Sequence, residues 1–197
     1  KKAAQTMTNW RPSFIAISSH SFARLSSFDL LRWICHHYGF GSYIHYINGA
    51  LTEKTNTESK QLNERLIRLV QSSSASIYVD TIISPSFKTA VGQIVQIPGI
   101  SGMENNGILF EFFEEENHEI TEIIDGCHFA GIVGFNICIL RCSERRFGYR
   151  KNIHIWLTPG DYQNANLMIL LGYIISGHAE WKESQIELFA AFNRESM

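Results

Sequence analysis

Apolar and polar positions along this chain change period several times, and each change predicts a new element. "SFIAIS", residues 13–18, is a short apolar run between polar flanks, the pattern of a buried strand. In "SSHSFARLSSFDLLRWICHHYG", Phe28, Leu31, Ile34 and Cys35 recur at helical spacing, and Gly39 is placed to end the helix. "FGSYIHYING" alternates weakly and predicts a second strand ending at Asn48-Gly49. A polar link, "LTEKTNTESK", leads into "ESKQLNERLIRLVQSSS", where Leu62, Leu66, Leu69 and Val70 share one face and charges occupy the other.

"SASIYVDTIIS" predicts a third strand. Pro85 then opens a helix with Phe87, Val91, Ile94 and Val95 inward, closed by Pro98-Gly99. "GISGMENN" reads as loop, and "GILFEFF" as a fourth strand. "EEENHEITEIIDGCHFAGIVG" begins acidic, which suits the positive end of a helix. "FNICILRC" and "NIHIWLT" predict strands five and six, joined by the basic turn "ERRFGYR"; a last helix and the strand "SQIELFAAF" close the chain. Strands alternating with helices predict an α/β fold: a mostly parallel, doubly wound sheet with helices on both faces. The short link between strands five and six predicts one antiparallel pair in the C-terminal half. No Gly/Ser-rich linker interrupts residues 1–197, so a single domain is expected, with 1–12 as a lead-in.

The last helix departs from the amphipathic rule. Leu167 to Leu171 are all apolar, and Tyr173, Ile174 and Ile175 follow. Such a helix must be covered on both sides, by the sheet and by another helix or a second copy of the domain, because a broad exposed apolar patch invites association. Leu167, Leu170, Leu171, Tyr173 and Ile174, with Trp156 and Trp181 on either side in sequence, are therefore the candidate interface residues.

Composition narrows the functional classes. With 45 % hydrophobic and 18 % charged residues the chain is of ordinary globular type, and a net charge of −2 supplies no bulk attraction to nucleic acid. No apolar run approaches the roughly 20 residues that span a bilayer. The opening "KKAAQTMTNW" has no signal-peptide core and no initiating Met, which reads as an excised fragment or a trimmed terminus. The four cysteines, Cys35, Cys127, Cys138 and Cys142, are unevenly spaced in apolar surroundings. They suit small buried hydrophobes better than a disulfide frame. Cys127, His128, Cys138 and Cys142 are conceivable zinc ligands, but "NICILRC" reads as strand and no C-x-x-C turn is present, so no metal and no cofactor is expected.

Motifs that carry chemistry are sparse. Thr158-Pro159-Gly160-Asp161 is a strong helix start, and Asp161 fills as an internal counter-charge the place where an anion would sit. No glycine follows the first strand, and neither G-x-G-x-x-G, G-x-x-x-x-G-K-[ST] nor G-x-S-x-G is present. Ser19, His20 and Ser21 end the first strand, a position open to hydrolase chemistry, though helix capping by serine is the simpler reading. His36-His37 suits a helix C-terminus, and His154 reads as a satisfied, half-buried strand residue. Glu114-Glu115-Glu116 is a solvated run, and "ERRFGYRK" is a basic, aromatic patch suited to a membrane or partner contact.

Three blocks, in order, carry a resemblance. "NWRPSFIAIS" has an aromatic-Arg-Pro before a strand. "SIYVDTIISPSFKTAVGQIVQIPGISGMENNGILFEFF" runs a helix into a loop with Gly99, Gly102, Met103, Asn105 and Asn106. "IHIWLTPGDYQNANLMILLGYIISGHAEWKESQIELFAA" sets Trp156, a polar turn, a Leu-rich helix, Trp181 and Phe189 in sequence. Together they resemble the cytoplasmic C-terminal domain of cation-chloride cotransporters, in a form distant from the animal members and suggesting a prokaryotic one. The Pro in the turn after the Trp strand and Gly177-His178-Ala179-Glu180 depart from the animal pattern. The resemblance implies a universal-stress-protein-like α/β fold and a non-catalytic domain on the cytosolic face of the membrane. It also implies two partners: a second copy, and the transmembrane transporter of the same polypeptide. The alternative is a nucleotide-sensing domain of stress-protein type, binding at the sheet's switch point.

Overall fold

The structure is a computed structural model, and it describes residues 10–73, 75–99, 104–113 and 117–191. Among the described residues seven strands and five α-helices follow one another, alternating except where the fifth strand leads directly to the sixth, and the chain divides into two compact units, Lys1–Glu144 and Arg145–Met197.

In the first unit, β1 (Ser13–Ser18), β2 (Phe40–Asn48), β3 (Ile77–Ser84), β4 (Gly107–Phe113) and β5 (Asn136–Cys142) form one parallel sheet in the order β3-β2-β1-β4-β5. The chain steps outward from β1 through α1 (Ser26–Ile34) and α2 (Glu53–Ser73). It then crosses back through α3 (Phe87–Ile94) to place β4 on the other side of β1, and continues through α4 (Asn117–Val133) to β5. This doubly wound order is the fold expected from the alternation of periods, and winding reverses between β1 and β4.

Side chains alternate across the sheet. Ile15, Ile17, Ile44, Tyr46, Ile108 and Phe110 face α3 and α4, where Val91, Ile94, Ile123 and Ala130 close one core layer. Phe14, Ala16, Tyr43 and Leu109 point the other way; Phe28 of α1 meets Tyr43 edge-on at 5.4 Å. All six residues of β1 are buried, as required of a central strand covered on both faces. Gly107 is set by this layer, since a Cβ there would lie 2.4 Å from the Phe14 ring.

The second unit is one βαβ element. β6 (Asn152–Leu157) and β7 (Gln185–Ala190) pair in parallel, joined by α5 (Ala165–Ser176). Gly172 brings α5 close to the sheet: a Cβ there would come within 2.8 Å of Ile155 Cδ1. Arg150 and Glu180 form an ion pair inside this unit, and the buried Trp181 packs on Phe147 at 6.4 Å.

Several expectations are corrected. Among the described residues there is no antiparallel pair: β5 pairs with β4, β6 with β7, and both pairs are parallel. Shortness of "ERRFGYR" suggested a hairpin, but Arg146, Gly148 and Arg150 at positive φ turn the chain out of the larger sheet instead. The polar link "LTEKTNTESK" is the solvated first part of α2, which starts at Glu53; its apolar stripe is short and only Leu66 is fully buried. Gly39 is not the helix stop. Cys35 caps α1, and Gly39 packs against it with Pro12. The last helix starts at Ala165, because Pro159–Asp161 form a separate 3-10 turn. Gly102, Met103 and the run Glu114-Glu115-Glu116 lie outside the described residues.

Candidate functional site

Doubly wound sheets bind ligands where the winding reverses, beyond the carboxyl ends of the strands. Here that point lies between β1 and β4, and the chain fills it with its own side chains. The described residues leave a cavity of about 20 Å³, lined in part by Ser18, His20, Arg24, Glu111, Glu119 and Glu122. That is room for about one water molecule and far from the several hundred cubic ångströms of a small-molecule pocket.

Two carboxylates organise it. Glu119, in the first turn of α4, receives both oxygens' worth of hydrogen bonds from Arg24 Nη1, at 2.8 and 3.0 Å. It lies 3.5 Å from His20 Nε2 and accepts the Phe113 amide at 3.2 Å. The Arg24 guanidinium stacks on Phe113 at 4.8 Å. The β1–α1 loop, the end of β4 and the start of α4 are thereby tied together.

Glu111, only 9 % exposed, sits deeper. It accepts the Ser18 hydroxyl at 2.5 Å, the Ser27 amide at 3.3 Å and the Cys142 thiol at 3.7 Å. Ser27 is in the first turn of α1, whose capping position holds Leu25, a side chain that cannot cap. Glu111 supplies from a neighbouring strand the anion that this helix end lacks.

Beside this network, Ser21 Oγ lies 2.7 Å from His45 Nδ1, with Ser21 wholly buried and His45 8 % exposed. Burial first, and then the charges of His20 and Arg65, lower the His45 pKa to about 4, so the imidazole is neutral at pH 7. Burial of Ser21 denies this pair a substrate, and no carboxylate is among the bonds at His45. Ser19 and His20, the hydrolase candidates, are exposed and not hydrogen-bonded to each other among the described residues. Burial likewise raises the thiols of Cys35 and Cys142 to about 12 and that of Cys138 to about 11, away from the thiolate form. Asp161 lies in the 3-10 turn ahead of α5 rather than at the start of that helix; it accepts the Thr158 hydroxyl at 2.6 Å and the Thr158 amide at 2.8 Å, and both lower its pKa.

The candidate interface residues all lie in the second unit. Leu167, Leu170, Leu171 and Ile174 are half-buried along α5, and Tyr173 is 65 % exposed. Trp156 is 57 % exposed and stacks on Phe189 at 4.4 Å, on the sheet face opposite α5. On that same face His154 pairs with Glu187 at 3.0 Å. Trp181 is different: at 6 % exposure it is core of this unit.

Sequence reasoning missed Arg24, His45, Glu111 and Glu119. One signal was available, for "GILFEFF" is an apolar strand broken by a single Glu, and a carboxylate at a buried strand position needs a partner.

No protein-family model matches the sequence, and no curated protein matches it. Among solved structures, the fold is similar to the cytoplasmic domain of a prokaryotic cation chloride cotransporter. The TM-score is 0.61 at 13 % identity, over 92 % of this chain and 66 % of that one. This chain therefore spans about two thirds of that domain's length, and the likeness is one of fold.

Proposed function

We propose that this chain is a non-catalytic regulatory and pairing module of a secondary membrane transporter that moves cations together with chloride. On this reading it lies on the cytosolic side of the transmembrane part of the same polypeptide and pairs with a second copy. The fold likeness supports the transporter context. One observation carries the pairing: α5 is apolar almost all round, yet only Gly172 is fully buried. Its outer surface has the character of an interface core.

The filled switch point favours regulation over catalysis. A cavity of about 20 Å³ rimmed by three carboxylates repels a triphosphate and has no room for one. The rival, a nucleotide-sensing domain, rests on the doubly wound order alone. Calorimetry with ATP and ADP separates the two; heat of binding at millimolar nucleotide favours the rival.

Transport itself is testable in the full-length protein. Its reading frame is expected to contain a set of long hydrophobic spans. Deleting the segment equivalent to residues 13–190 is expected to change the rate or regulation of chloride-dependent cation uptake and to leave the ion requirement intact. A reading frame without hydrophobic spans ends the proposal.

A further inference from the structure

β6 and β7 run parallel, so the segments that lead into them, residues 145–151 and 182–184, lie at one end of the second unit; there the Gln185 amide donates to the Lys151 carbonyl at 2.8 Å. That end is basic. Arg145, Arg146, Lys151 and Lys182 are exposed, and none of them has an ion-pair partner among the described residues. Glu180 is engaged by Arg150, so the exposed acids nearby in sequence are Glu183 and, just ahead of the turn, Glu144.

The turn is held in place. Phe147 packs on the buried Trp181, Arg150 is bound by Glu180, and Arg146, Gly148 and Arg150 all take positive φ. Left-handed backbone is unfavourable for any side chain beyond glycine, and the exposed Arg146 gains no packing from it. What the turn achieves is the display of Tyr149, which at 96 % is the most exposed large hydrophobic among the described residues. An aromatic ring is thus held out in water between cations. A protein partner asks for apolar anchors ringed by further contacts, whereas the sequence neighbours of Tyr149 that stay outside the core are glycine and basic residues. Nucleic acid asks for a wider basic field than a chain of net charge −2 offers. The boundary of a bilayer fits both features, because tyrosine settles at headgroup level and lysine and arginine meet anionic lipid there.

We propose that Arg145, Arg146, Tyr149, Lys151 and Lys182 form a contact with anionic lipid headgroups at the membrane surface. Each such cation adds about fivefold to binding at an anionic surface, so the set gives a reversible contact that becomes strong only in a chain already tethered beside the bilayer. The tether is the transporter placement proposed above. Binding of the isolated chain to vesicles needs neither that tether nor the outer face of α5, so this contact and that reading can fail separately.

The test is co-sedimentation of the 197-residue chain with vesicles of phosphatidylcholine alone or mixed with phosphatidylglycerol. Binding is expected for the mixed vesicles only, at about 20 mM salt, and is expected to vanish at about 0.5 M salt. Arg145→Glu with Arg146→Glu is expected to weaken it at least about 20-fold. Lys54→Glu with Lys60→Glu, an equal change of charge at exposed sites on α2, is expected to weaken it less than about threefold. Tyr149→Ala is expected to weaken it several-fold and to leave the salt dependence unchanged. Should the first double variant fail to fold, Lys151→Glu with Lys182→Glu takes its place. Absence of binding to the mixed vesicles at low salt overturns the contact, as do equal binding to both kinds of vesicle and equal losses from the turn and α2 variants.

Discussion

The two units use similar elements and end with opposite surfaces. In the first, α3 is amphipathic and its inward residues Phe87, Ala90, Val91 and Ile94 are all buried. In the second, α5 is the more apolar helix by composition, yet its side chains stay half-exposed. A five-stranded sheet carries helices on both faces and hides the inward side of α3, while α4 leaves Ile124 and Ile132 exposed. Two strands carry one helix and hide one side of it. Burial thus depends on how many layers a helix is given, and α5 has fewer than its apolar composition could fill.

The contrast can be broken most forcefully inside the first unit. Phe110 is wholly buried between α3 and α4, so Phe110→Ala is expected to cost about 3–5 kcal/mol in urea unfolding. The half-exposed Leu170 should cost clearly less on truncation, and equal losses would mean that α5 is as well packed as the core.

Acid is expected to act next, again through the first unit. His45 is neutral in the fold with a pKa near 4, against 6.5 when unfolded, so only the unfolded chain takes up its proton between those values. Stability is therefore full above about pH 6.5, falls as pH drops to about 4, and loses about 3 kcal/mol in all from this group. His45→Asn, which keeps a polar atom for Ser21, should flatten the profile over that window; an unchanged slope assigns the acid response elsewhere.

Close approach offers a gentler comparison. Gly107→Ala drives a methyl into the locked Phe14 ring and should cost about 1–3 kcal/mol. Gly172→Ala meets the free end of Ile155 and should cost less, because that end can move. At the bottom of the scale, Glu187→Gln removes an exposed partner of His154 and should change stability by less than about 1 kcal/mol.

The alternation of periods was enough to find the strands and helices of the doubly wound sheet, though not the solvated first part of α2, because buried parallel strands and amphipathic helices write different spacings. It could not place the partner of β5, since a seven-residue basic turn fits a hairpin as well as an exit from the sheet; positive φ at Arg146 and Arg150 leaves no trace in residue type. The greasy character of Leu167 to Ile175 was plain in the sequence, whereas the separation of exposed Trp156 from buried Trp181 was not, for Trp156 stands between Ile155 and Leu157 and Trp181 between Glu180 and Lys182, neighbours that suggest the opposite assignment. The switch-point network escaped for another reason. Arg24, Glu111 and Glu119 meet across as many as 95 residues, and long-range charge pairing has no period to read.

Pairing through the second unit is the central claim, and sedimentation velocity of the chain and of Tyr173→Arg tests it most directly. Tyr173 is exposed, so the substitution leaves the fold in place while setting a charge on the outer face of α5. The account predicts a dimer of the unaltered chain at about 10–100 µM, the range of a modest interface, and a monomer for Tyr173→Arg. A chain that stays monomeric throughout that range, or a dimer that Tyr173→Arg leaves intact, contradicts it.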